Sequence, residues 1–383
     1  MIWLNFLHLY QPPNQSKDMV DLITYESYER IISLIEMHPS VHVTMNISGS
    51  LLELFDKYNH LGLISRYRVL IEKGQIELVG TAAYHPILPL ISESEIIKQI
   101  QYNEELHKKY LGINTKLKGF YFPEMAYSLS AAKIVEKMGY KWIILDDEGH
   151  YPNNVTDSNK RYVIKDTSLE VFFRNRNISK TFPPEHILTH FEELKNQTLI
   201  TAHDGELYGH HHKDDRGYYE KIFTHSDIQH MTISDYSETL TDIVTINPTE
   251  GNWETTLEDR SNNVPFALWN DPQNNIHQDL WKFARSTAEI LTKHTDDPSY
   301  SEIELNFHKG LASCTWWWAS NKKIGPFSPI TWNPSEIEEG VKELLSVTRS
   351  LKKIPIKVRL DIEERAHTLM LNIWKKHWEL YTT

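Results

Sequence analysis

Cysteine is almost missing from this sequence, with Cys314 alone among 383 residues. One thiol excludes an internal disulfide and a cysteine-built metal cage, so nothing calls for an oxidising compartment and a cytoplasmic setting is expected. Basic charge is scarce too: 40 Lys and Arg stand against 52 Asp and Glu, a formal net charge of -12. Such a surface repels polyphosphate, which argues against nucleic acid as a partner. No uninterrupted apolar stretch approaches the roughly 18 residues of a membrane span. The N-terminus carries no basic segment ahead of its short apolar run, so neither a membrane segment nor a secretion signal is expected. Internal repeats and low-complexity tracts are also lacking.

Aromatics, by contrast, are plentiful, at 11% with 11 Trp and 19 Tyr. Their faces bury the C–H groups of sugar rings while leaving hydroxyls free. Most of these residues belong to a core. A minority, with Tyr121, Trp253, Trp269 and Trp316 to Trp318 as candidates, is expected to line a sugar-binding groove.

The length exceeds what one hydrophobic core usually supports, so a large domain with a smaller appendage is expected. Short runs rich in Val, Ile, Phe, Tyr and Trp recur at 2–7, 41–47, 75–80, 117–122, 141–145, 170–173 and 198–202. Longer stretches with helical periodicity separate them, including 20–37, 51–58, 63–72, 92–110 and 128–138, an alternation that argues for β/α units around a parallel sheet. Ser92 followed by Glu95 reads as a capping box, and Gly74, Gly112 and Gly139 read as helix stops. From about 271 onward the strands cease. Three amphipathic helices, 280–291, 337–351 and 358–378, then read as a helical subdomain.

In parallel β/α architectures the active site is built after the C-terminal ends of strands. His8 and Gln11 follow the first run, His85 the third, Glu124 the fourth, Asp146 and Asp147 the fifth, Arg174 the sixth, and Asp204 and Glu206 the seventh. A single carboxylate there is commonly only a helix cap; their joint occurrence is what points to chemistry. In Gly119-Phe-Tyr-Phe-Pro-Glu124 an apolar strand delivers a carboxylate on backbone stiffened by proline, as a nucleophile requires. In the run from Thr198 through Asp204-Gly-Glu206 to His212 a buried strand ends in an acidic pair on a glycine turn. Glycosidic cleavage needs two carboxyl groups in different protonation states, which Glu124 and Asp204 can supply, with Glu206 as the alternative second member.

These motifs resemble those of glycoside hydrolase family 57. His8-Leu-Tyr-Gln-Pro12 is similar to the family's first motif, 74–80 with His85-Pro86 to its second, 119–124 to its third, and Asp204-Gly-Glu206 with Tyr208-Gly-His210 to its fourth. The resemblance implies a seven-stranded parallel (β/α)7 barrel over 1–270, followed by a C-terminal helical subdomain over 271–383 that packs on the barrel and closes the active-site cleft. It also implies a retaining glycosidase or transglycosidase acting on α-linked glucan, with Glu124 as nucleophile and Asp204 as acid/base. Sugar contacts are implied for His8, Glu77 and Tyr121, and expected beside them for Gln11, His85, Glu206, His210, Trp253, Trp269 and Trp316. The substrate is an oligo- or polysaccharide, and no cofactor or metal is called for. Two positions depart from the family pattern: Tyr10 stands where a second histidine is usual, and Tyr121 where tryptophan is common.

Amylase, 4-α-glucanotransferase, branching enzyme and α-galactosidase share the two carboxylates and differ in the loops that shape the acceptor side. A rival reading starts from His203, His210, His211 and His212 beside Asp204, since imidazole and carboxylate suit divalent metals. It would make the chain a metal-dependent deacetylase or mannosidase. Consecutive histidines point in different directions, which counts against it. A binding protein with a decayed site would have to lack one of the carboxylates, and both are present.

Overall fold

The computed structural model describes residues 1–152, 154–322 and 331–381. Two compact units make up the chain, Met1–Glu254 and Thr255–Thr383. The first unit is α/β. Its strands are β1 (Ile2–Leu9), β2 (Val43–Ile47), β3 (Ile76–Val79), β4 (Gly119–Phe120), β5 (Trp142–Asp146), β6 (Arg161–Ile164), β7 (Glu170–Arg174), β8 (Thr198–Asp204), β9 (Gln229–His230) and β10 (Ile243–Ile246).

They form two sheets. One has the order β3-β2-β1-β8, with β9 also on β1, and the other runs β10-β6-β7-β5-β4. All pairings are parallel except β6 with β7. That hairpin is absent from the sequence-based reading because β6 is short and its turn is made by Asp166 at φ 62°, an unusual backbone choice for a non-glycine residue. Hydrogen bonds also cross from one sheet to the other. Gly80 N–H donates to Gly119 O at 2.9 Å, Tyr121 N–H to Gly80 O at 2.8 Å, and Asn175 N–H to Ile200 O at 2.8 Å.

Most strands are buried on both faces, as parallel strands covered by helices must be, so their residues sort by period two. Trp3 and Leu7 join the core shared with the helices Glu29–Met37, Gly49–Lys57 and Leu61–Glu72. Leu4 and Phe6 face a separate cluster with Val79, Tyr121, Trp142, Ile144, Phe172, Ile200 and Ala202. Continuing that alternation by two residues carries His8, Asp146, Arg174 and Asp204 to the C-terminal end of the same inner face. The strand period thus sets the site.

The second unit is helical: Leu257–Ser261, Asn275–Thr292, Tyr300–Gly310, Cys314–Trp318, Pro334–Ser350 and Ile356–Tyr381. Asn274 caps the second of these by accepting from Ile276 and His277 N–H, and Asn333 caps the fifth ahead of Pro334. Gly340 lets Thr315 approach so closely that no Cβ would fit between them. Its boundary precedes the expected division at 270 because residues 255–270 bond within this unit, Lys322 Nζ to Asp259 Oδ1 at 2.7 Å and Trp281 Nε1 to Trp269 O at 2.9 Å. The helix Tyr300–Gly310 was not expected, since its sequence has a weak apolar stripe. Among the described residues no helix is long and apolar enough to cross a membrane.

Candidate active site

Glu124 lies four residues past the end of β4, in a short turn, Pro123–Met125, that Pro123 opens. Glu124 and Met125 both adopt left-handed backbone, φ 58° and 50°, as does His85 at φ 58°. Non-glycine residues hold such angles at a cost of about 1–3 kcal/mol each, so three around one carboxyl group mark a shaped site. The Glu124 side chain is 18% exposed. Its Oε2 accepts from Trp253 Nε1 at 2.8 Å, and its Oε1 lies 3.8 Å from His85 Nδ1.

Asp204 ends β8 directly beside His8 on β1. His8 Nδ1 lies 2.6 Å from Asn46 Oδ1, and His8 Nε2 lies 3.0 Å from His85 Nε2. The His85 ring stacks at 4.0 Å on Tyr10, the half-buried outer member of a ladder that continues through His8 to Tyr121. Burial lowers His8 to about 4 and His85 well below the usual histidine range, so both are neutral at pH 7.

Glu206 is held from two sides. Gln11 Nε2 donates to its Oε1 at 2.7 Å, and Tyr28 O–H makes a very short bond to the same oxygen. Burial pushes Glu124 up to about 8, with the Asp204 charge adding and the Trp253 donor opposing. Asp204 is raised by burial to about 6, against the pull of the Arg174 guanidinium. Glu206 rises to about 8 through burial and then the Asp204 charge. Three carboxyl groups thus share a poorly solvated space, and they cannot all be ionised together at neutral pH.

Asp146, at the end of β5, is different. Arg174 Nε donates to its Oδ2 at 2.7 Å and Arg176 Nε to its Oδ1 at 2.6 Å. Burial works against its charge, yet the two guanidiniums outweigh it and hold the carboxyl below its ordinary value.

His8, Gln11, His85, Tyr121, Glu124, Asp204, Glu206 and Trp253 are therefore gathered around one end of the strands. Tyr121 has no exposed surface and lies under His8, so the expected sugar stacking on its face needs correction: it is the floor of the site. Glu77 also needs correction. It lies two residues before Val79 on β3, and its Oε2 accepts from Thr44 Oγ1 at 2.9 Å and Ser234 N–H at 3.2 Å, at the start of the helix Ile233–Ser237. Trp269 and Trp316 belong to the helical unit and are fully buried, Trp316 stacked on Trp281 at 4.3 Å, so neither has a face to offer a sugar. His210 Nδ1 is 2.6 Å from Glu26 Oε2, His212 stacks on Phe182, and His203 Nε2 meets Tyr208 O–H at 3.0 Å. The histidines diverge, and among the described residues no three His, Cys, Asp or Glu side chains are grouped as metal ligands.

Asn46, Tyr28 and the donor role of Trp253 escaped the sequence reading. Asn46 carries a readable signal, a polar residue near the end of an apolar strand. Trp253 carries none, because it sits in a loop after β10 that no periodicity orients.

Two partly buried, unequally held carboxyl groups at and beyond the strand ends of an α/β unit have the chemistry that acid-assisted nucleophilic displacement uses. The chain belongs to glycosyl hydrolase family 57, whose model matches residues 18–248. Alpha-amylase 1 of Dictyoglomus thermophilum is 24% identical over 215 residues, covering 53% of this chain and 31% of that one. Among solved structures, 4-alpha-glucanotransferase from Thermococcus litoralis superposes with TM-score 0.72 at 18% identity, covering 92% of this chain and 60% of its own. A branching enzyme from Thermococcus kodakaraensis gives 0.72 at 14%, covering 95% and 94%. At these identities the structural likeness speaks to fold. The matched stretches span 31% to 40% of the first curated relatives.

Proposed function

We propose that this chain is a retaining glycosidase or transglycosidase acting on α-linked glucan through a covalent glycosyl-enzyme. Glu124, largely withdrawn from solvent, fixed by a left-handed turn and by an indole donor, and facing the charge of Asp204, is the observation that carries this reading. The α-glucan substrate is taken from the relatives, among them an alpha-amylase and a 4-alpha-glucanotransferase. We also infer that β1, β2, β3, β4, β5, β7 and β8 close into one seven-stranded barrel, a reading supported by the hydrogen bonds of Gly80, Tyr121 and Asn175 between the sheets.

In the first step Glu124 forms a bond to the anomeric carbon as the glycosidic C–O bond breaks, and Asp204 gives its proton to the departing oxygen. In the second, Asp204 takes a proton from water or from a sugar hydroxyl, which then displaces Glu124. The first step needs Glu124 ionised and Asp204 protonated. Burial favours the neutral form of both and holds Glu124 higher, so the productive form is the minor one of two singly protonated states. Positive charge developing at the anomeric carbon and the Trp253 donor both favour it. Glu206, bound by Gln11 and Tyr28, keeps a proton next to Asp204 and limits the negative charge there.

Water as acceptor gives hydrolysis and a sugar gives transfer. Product profiling from maltoheptaose separates them: shorter sugars alone mean hydrolysis, longer ones mean transfer. No conversion of any α-glucan by the folded chain would defeat the substrate assignment.

A further inference from the structure

We propose that Trp253, locked in place by Arg174, is the positioning residue of the reaction, its indole N–H holding the Glu124 carboxylate ready to attack. This rests on Glu124 as nucleophile. Trp253 was expected to be a sugar platform, but its geometry turns it toward protein. Its backbone N–H donates to Glu124 O at 3.2 Å and its indole N–H to Glu124 Oε2 at 2.8 Å, so one residue grips both ends of the nucleophile. The loop that carries it is fastened two residues earlier, where Tyr127 N–H donates to Gly251 O at 2.9 Å.

Arg174 closes the clamp. Its guanidinium lies 4.9 Å from the Trp253 ring centroid, and Nη2 donates to Trp253 O at 3.3 Å. Nη1 donates to Ala202 O at 2.7 Å, two residues before Asp204, and Nε is paired with Asp146. A single planar cation therefore ties the strand bearing the proposed acid/base to the residue that holds the proposed nucleophile. Lysine cannot reproduce that fork.

Facing Glu124 are His85, which burial keeps neutral, the Tyr121 ring, and the carboxyls of Asp204 and Glu254, both of which oppose its ionisation. Trp253 supplies the hydrogen bond that favours the ionised form. Removing that donor while keeping an aromatic ring should penalise only the charged nucleophile.

The test is the pH profile of kcat/KM on maltoheptaose for the full chain and for Trp253→Phe, with Glu124→Ala as control. Trp253→Phe should lower the maximum about tenfold to a hundredfold and move the upper limb upward by about one to two pH units, the scale of one hydrogen bond to a charged group. A limb that stays in place, whatever the loss in rate, overturns the proposal, because damage to packing or to a sugar platform lowers the curve without shifting it. Should Trp253→Phe fail to fold, Arg174→Lys takes its place and should move the same limb in the same direction; an unmoved limb there overturns the clamp. Were Glu124→Ala as active as the unmodified chain, the nucleophile assignment itself would fall. With Glu124→Ala inactive and the limb unmoved, only the clamp falls.

Discussion

Asp146 and Asp204 occupy the same kind of place, each the last residue of a parallel strand and each turned to the inner face. Their surroundings differ in the charges that face them. Asp146 has two guanidiniums, whereas Asp204 feels Arg174 at second hand and has other carboxyls for neighbours. The first is held below its ordinary value and the second is pushed up to about 6. A strand-end carboxylate becomes structural or reactive according to whether its charge is compensated, and position alone does not decide.

The sharpest way to break this contrast is at the reactive end. Glu124→Ala should leave the fold intact and reduce turnover roughly 10^4-fold, the scale found when a nucleophilic machine loses a member. Near wild-type rates in that variant would remove Glu124 from the mechanism. Asp204→Asn should lower kcat by about 10^2- to 10^4-fold, the usual worth of a general acid. Its melting temperature at neutral pH should not fall, since neutralising a poorly compensated buried carboxylate removes a cost.

Asp146→Asn should behave in the opposite way. It leaves Arg174 and Arg176 facing a neutral group in a dry setting, with an expected loss of about 3–5 kcal/mol in stability measured by denaturant or thermal unfolding. Stability unchanged in Asp146→Asn would mean that the pair is not structural.

The strand ends were legible because period-two alternation carries through from Leu4 and Phe6 to His8 and from Ile200 and Ala202 to Asp204. Glu77 shares that period with Val79 and so faces inward too, but it is level with Thr44 and Phe6, one step below the His8 and Asp204 level, and alternation alone does not read that depth. The tryptophans were legible as bulk only. Whether a ring is a platform or filling depends on which elements cover it, and for Trp269 and Trp316 that cover is complete. The β6 to β7 hairpin was hidden by a turn built on Asp166 instead of glycine.

A smaller effect separates Glu206 from both aspartates. Its folded carboxyl, raised to about 8, keeps a proton that the unfolded chain releases near its ordinary value of 4.5. Within that window the folded state binds more protons, so this group makes stability fall as pH rises toward 8. Glu206→Gln should flatten the decline, seen as a smaller drop in melting temperature between pH 5 and pH 8. An equally steep decline in the variant would show that Glu206 is ionised in the folded protein. Smallest of all, prolonged chelation should leave turnover essentially unchanged, whereas loss on chelation with recovery in zinc would restore the histidine reading.

Double displacement at Glu124 and Asp204 is the central claim, and anomeric configuration tests it most directly. Proton NMR of the first-formed sugar from an α-linked substrate should show the α anomer, before mutarotation mixes the two. The β anomer would contradict the account, because it would make Glu124 a base acting on water and not a nucleophile.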